Sequence, residues 1–177
     1  MNKMYILGIS LLLVAIFAVT VLPGINTTVQ AQGLAYNAEV CVYKNNELVD
    51  CSHNVLYDTG AEEIEQYLGN TGGSGDAFDW IQLCNATAGC AQPTAGGGTF
   101  NEMNPDCGVN SSSGAYASVG NGNWTISAVF TSTCDNIETN VTRLRNNAGD
   151  AFAGNNFSLV TLQTDDQINV TWTIWVT

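Results

Sequence analysis

The residues best able to do chemistry in this chain are its six cysteines, Cys41, Cys51, Cys84, Cys90, Cys107 and Cys134. None stands in a C-x-x-C pair, and with His53 the lone histidine a Cys2His2 set cannot be completed, so no spacing marks a zinc site. An even count in an exported chain points instead to disulfides. Six cysteines allow fifteen connectivities. The neighbours-in-sequence set is the expected one: Cys41 with Cys51, Cys84 with Cys90, and Cys107 with Cys134.

Asn85, Asn110, Asn123, Asn140, Asn156 and Asn169 each open an N-x-S/T sequon without proline at the middle position. An Asn- and Thr-rich chain makes several such triplets by chance, and the plain alternative is a polar exposed face, but several are expected to carry glycans where the host can attach them. Asn169 falls on the polar face of the last strand, where a glycan would project without disturbing a core. Other polar groups carry less. His53 shows no nucleophile or orienting group at a telling spacing and reads as a surface or turn residue. Asp165 with Asp166, and Asp76 with Asp79, offer oxygen ligands but follow no calcium-loop pattern, so they read as turn and strand-edge charges. Gly72, Gly73 and Gly75 lack the Lys-Ser or Lys-Thr of a phosphate loop. No carboxylate pair is marked for hydrolysis. The expectation is a protein that is not an enzyme and uses no cofactor or metal.

Such residues need a compartment and a scaffold. Lys3 precedes an uncharged apolar stretch from Met4 to Leu22, and Val29, Gln30 and Ala31 have the small-residue spacing that a signal peptidase accepts. Residues 1–31 therefore read as a leader helix cleaved after Ala31. The rival reading is an uncleaved anchor, because the stretch approaches the ~20 residues that span a bilayer. Either way residues 32–177 are placed outside the cell as one domain. Losing the leader removes one lysine and no acid, so the whole-chain charge of −12 becomes −13. Such a body repels nucleic acid and anionic membranes; contact with a membrane is expected only through an uncleaved N-terminus.

The scaffold reads as all-β. From Ile168 to Thr177 large apolar residues alternate with Thr or Asn, the pattern of a strand wet on one face. Phe157 to Leu162 reads as its hairpin partner across a polar turn at Gln163 to Asp166. Ala38–Lys44 and Glu47–Cys51 flank Asn45 and Asn46, residues suited to a tight turn. A strict two-residue loop would leave Cys41 facing Asp50. A three-residue loop with a bulge would pair Lys44 with Leu48 and set Cys41 across from Cys51. Thr59 and Glu62 form a capping-box pattern that opens a short helix, Gly60 to Leu68. Ala77–Leu83, Ala115–Val119, Asn123–Thr133 and Ile137–Leu144 complete the strands, with Asn123–Thr133 expected at the centre. Cys84 to Gly114 is loop-rich and is expected to be held down by disulfides. The architecture expected is an antiparallel β-sandwich of about seven or eight strands.

Two stretches also carry a resemblance. Val42, Tyr43, Lys44, Asn45, Leu48, Val49, His53, Asn54, Val55, Leu56, Thr59, Gly60 and Ile64 are similar to the opening of small β-sandwich proteins of viral tail or virion appendages and of secreted archaeal proteins. Phe157, Val160, Thr161, Leu162, Asp166, Val170, Thr171 and Trp172 resemble their closing hairpin. Asn46 stands where those proteins usually have glycine. With its leader, sequons and cysteines the chain also resembles subunits of archaeal extracellular filaments of the thread and bundling-pilus type. That resemblance implies a subunit whose extended tail completes a neighbour's sheet, and Gln32 to Asn37 is the implied donor. The function expected is a structural subunit of a cell-surface or extracellular assembly that associates with itself. The alternatives are a virion-associated structural protein and a monomeric adhesion module, for which carbohydrate is the expected ligand, bound through Trp175 and Tyr116 on the outer face. An exported hydrolase would need an acid or base that the sequence does not reveal.

Overall fold

The computed structural model describes residues 35–69 and 76–176. The leader, its cleavage point, Gln32 to Leu34 of the implied donor and most of the glycine-rich loop lie outside the described residues. Among the described residues ten strands form two antiparallel five-stranded sheets, more than the seven or eight expected, with one α-helix. The first sheet runs β2-β1-β10-β7-β6, with β1 Tyr36–Lys44, β2 Glu47–His53, β6 Ala115–Gly120, β7 Asn123–Thr131 and β10 Gln167–Val176. The second runs β3-β9-β8-β4-β5, with β3 Val55–Leu56, β4 Trp80–Leu83, β5 Ser111–Ser113, β8 Ile137–Arg145 and β9 Ala151–Leu162. Helix α1, Asp58–Gly69, follows β3.

The alternation in β10 does what its pattern demands. Ile168, Val170, Trp172 and Ile174 are buried at 1 % exposure or less. They face Ile81, Leu83, Leu144, Phe157, Val160 and Leu162 of the other sheet in one shared core. Fully burying side chains of this kind stabilises by about 1.5 to 3 kcal/mol each.

Several expectations are corrected. β9 and β10 do not form a hairpin: β9 pairs with β8 and β10 with β1 and β7, so the connection crosses between sheets. Its turn is held by partners outside any ladder. The Asp165 amide donates to the Ser132 carbonyl at 2.8 Å, and the Thr164 amide to the Asp135 carboxylate at 2.9 Å. β10, rather than β7, is the central strand of its sheet, so its backbone is paired on both sides. Tyr36 and Asn37 lie in β1 against Val176 and Trp175 of their own chain, which removes them from any donor segment.

The β1–β2 register brings Cys41 opposite Cys51, but by a different route from the three-residue loop. Asn45 and Asn46 both take positive φ, at 49° and 70°, and form a two-residue turn that pairs Lys44 with Glu47 and Tyr43 with Leu48. The irregularity sits further along, where Val42 pairs with Asp50 and leaves Val49 as the extra residue. At the helix start the Thr59 hydroxyl donates to the Ala151 carbonyl of β9. It thus ties α1 to the second sheet, and the helix begins at Asp58 rather than Gly60.

Candidate interaction site

The β6–β7 hairpin is built by its turn and by small residues. Gly122 takes φ +68°, a conformation that costs glycine little, and the ladder closes with Gly120 opposite Asn123. β6 reads Ala-Tyr-Ala-Ser-Val-Gly, and every residue of it is exposed. Tyr116 is 66 % and Val119 60 % exposed, unusual values for large apolar side chains in a strand.

β6 is an edge: β7 pairs along one side of it, and no strand among the described residues pairs along the other. Proteins usually blunt such edges with charge, proline, brevity or a covering segment. The remaining edges show these devices. β2, at the far side of the same sheet, carries Glu47 and Asp50. The carbonyls of Ser52 and His53 accept from Asn155 Nδ2 at 3.2 and 3.1 Å, and Asp50 accepts from the Ser158 amide at 2.9 Å. β3 has two residues and β5 three. β6 has no charge, no proline and no covering strand among the described residues, its one irregularity being the extra residue Val119 in the ladder to β7, and the run from Cys107 to Cys134 around it contains no Asp, Glu, Lys or Arg.

Beside this edge, at the end of the first sheet where β1 and β7 begin and β10 ends, the two sheets and the first turns of α1 leave space. Between them lies a cleft of about 940 Å³. Its floor includes Trp124, Ile126 and Ile174, its roof Phe78 and Phe152, and Tyr116 of β6 stands in its wall. Phe152 packs against Phe78 with ring centroids 4.9 Å apart and against Tyr36 edge-on at 5.5 Å. Polar groups are few. The Tyr36 hydroxyl accepts from Asn54 Nδ2 at 2.8 Å, and burial pushes its phenol above the ordinary tyrosine range. His53 and Asp79 stand among the lining residues. The cleft has the size and apolar character of a binding site.

A smaller cavity, about 370 Å³, lies between α1 and the loop at Ala95 to Gly98. Its cation, Arg143, is already engaged: it stacks 4.2 Å from the ring centroid of Phe100, which lines the same cavity, and its Nε donates to Gln82 Oε1 at 2.7 Å.

The residues named from the sequence scatter around these features. The cysteines join as Cys41–Cys51, Cys84–Cys90 and Cys107–Cys134, with Cα separations of 4.1, 6.2 and 5.2 Å. Glu39 lies near the first pair, but both sulfurs are spent on each other and leave no thiolate for a metal. Among the sequons, Asn156 is exposed while Asn85, Asn110, Asn123, Asn140 and Asn169 are half-buried. Asn169 is a poorer acceptor position than its strand pattern implies, because β10 is central and its Oδ1 is buried without a partner. His53 is exposed at the end of β2. Asp166 locks the β1–β2 turn to β10: it accepts from Asn45 Nδ2 at 2.7 Å and pairs with Lys44 at 2.9 Å. These contacts, with the Gln163 amide, hold its carboxyl down at about 2. Asp165 is exposed in the same turn, with φ +69°. Asp76 is exposed and Asp79 half-buried.

Tyr116 and Trp175 share no face. Tyr116 stands opposite buried Ile126 on the cleft side, whereas Trp175 is on the outer side between Asn37 and Asn123, so the two rings cannot form one sugar platform. The cleft itself escaped the sequence reading, because Phe152 and Tyr36 lay outside the strands assigned there. Among the described residues no helix is long and apolar enough to cross a membrane. No protein-family model, no curated protein and no solved structure matches this chain.

Proposed function

We propose that this protein is an extracellular, non-enzymatic structural subunit that assembles through the open edge of β6. The three disulfides support an oxidising setting outside the cell, consistent with a leader that directs export. The observation that carries the reading is the contrast between edges: three are short, charged or bridged, and the fourth is an uncharged six-residue strand with Tyr116 and Val119 in solvent. An edge of this kind joins another strand through its free amide and carbonyl groups. The terminal strand is not the joining element, since β10 is saturated on both sides. The kinship with filament and virion subunits belongs to this proposal, as does glycosylation, with Asn156 the best-placed acceptor.

Sedimentation and electron microscopy of the mature protein test the reading. Mass that rises with concentration, and falls back for Val119→Lys, is expected. Monomers at every concentration and salt would refute it.

The cleft favours a second reading, a monomeric extracellular binding module. Its lining fits an apolar ligand better than a carbohydrate. A defined small molecule in the cleft of a strictly monomeric native protein would select that reading.

A further inference from the structure

We infer that the partner at this edge is a second copy of the same chain, paired β6 to β6 about a two-fold axis, and that each copy closes the mouth of the other's cleft. The inference rests on the assembly reading above and adds the partner, the symmetry and the side chain that does the sealing.

Three observations carry it. The first is the number of open edges. Among the described residues one edge is unprotected, and a chain satisfies such an edge by meeting the same edge of a copy, which is an isologous contact that closes on itself. The second is charge. Two bodies of −13 repel, so copies can approach closely only through a face that adds no charge. The Cys107 to Cys134 run, which contains all of β5, β6 and β7, is the longest uncharged stretch among the described residues.

The third is the continuity of edge and cleft through Tyr116, which belongs to both. Side chains keep their face when a sheet is continued across an edge. Tyr116 and Ser118 lie on the cleft side, opposite Ile126 and Trp124. An antiparallel pairing centred on Ala117 sets Tyr116 against the partner subunit's Ser118. Each tyrosine ring then covers a small serine and lies toward Trp124 at the cleft mouth of the other copy. Six paired residues are few for a specific interface, which buries about 1,000 Å² or more. Two exchanged aromatic rings over apolar clefts supply the kind of contact that such interfaces concentrate at their centre.

The test uses the mature chain with p-benzoylphenylalanine at position 116, mixed as equal parts of ¹⁵N-labelled and unlabelled protein, and Nile red as a probe of the cleft. The expected result is mixed-isotope crosslinks confined to Ser111–Thr131 of the other copy. In the unmodified protein, Nile red fluorescence should fall as association rises, with the two midpoints coinciding. Ser118→Lys, at an exposed edge position outside the cleft lining and opposite the partner subunit's Tyr116, should weaken association at least about tenfold and keep Nile red bound. Association with undiminished Nile red fluorescence, or with crosslinks elsewhere, would overturn this inference and leave the assembly reading standing. A protein that stays monomeric throughout would remove both.

Discussion

Replacing Cys107 and Cys134 by alanine removes the tie around β5, β6 and β7. In the chain-entropy account a disulfide stabilises by restricting the unfolded ensemble, by an amount that grows with the logarithm of the enclosed loop. The sequence separations are 27 for Cys107–Cys134, 10 for Cys41–Cys51 and 6 for Cys84–Cys90. At 25 °C these give about 3.5, about 2.7 and about 2.2 kcal/mol respectively. Burial adds lost core packing to two of these values, since Cys107 is 4 % and Cys84 0 % exposed. The assay is equilibrium urea denaturation of the three double-alanine variants without reductant, followed by tryptophan fluorescence. The loss should be largest for Cys107–Cys134, which combines the longest loop with a buried sulfur. A loss below about 1 kcal/mol for this pair, or a larger loss for another pair, would refute the reasoning.

Three further expectations follow from the packing and the turns. Trp172→Ala, at a position with no solvent exposure, should cost about 3 to 5 kcal/mol in the same denaturation assay; a loss under about 1 kcal/mol would show that the two sheets do not close over it. Gly114→Ala should destabilise by about 1 to 3 kcal/mol, because the added methyl would overlap Ile126 Cγ2 and stand 3.1 Å from the Asp79 carbonyl where the chain passes from the second sheet to the first. The Asp166 carboxyl is lowered from 3.8 to about 2 by its partners in the fold, so its contribution is complete above about pH 4 and is lost as pH falls through 2. Urea midpoints of wild type and Asp166→Asn should therefore differ at pH 6 and converge toward pH 2; a gap that widens on acidification would contradict the assignment.

Some of this was legible in the residues and some was not, for physical reasons. Strict alternation in Ile168 to Val176 and in Trp124 to Phe130 announced strands with one buried face, and both are such strands. Alternation does not say which sheet a strand joins, because the inner faces of both sheets look alike in sequence. That is why the four polar residues after Leu162 read as a hairpin turn when they bridge two layers. β9 begins at Ala151, six residues before the apolar pattern starts, because Ala153, Gly154 and Asn155 are buried without being large or alternating. Phe152 goes with that stretch, and with it one wall of the cleft. β5 is three serines and has no apolar signal at all. The β1–β2 disulfide demanded an extra residue somewhere in the hairpin; two asparagines that accept positive φ kept the turn tight and moved it to Val49. Exposure of β6 was equally hidden, since Ala-Tyr-Ala-Ser-Val reads like any half-buried strand until its neighbours are known.

Amide hydrogen exchange along Ala115 to Gly120, followed as the concentration of the mature protein is raised, tests the role of the open edge most directly. Protection that climbs with concentration at Tyr116 and Ser118, while the amides of β10 stay uniformly slow, is the predicted result. Exchange at β6 that remains fast and unchanged while the protein visibly associates would place the joining surface elsewhere and contradict the account.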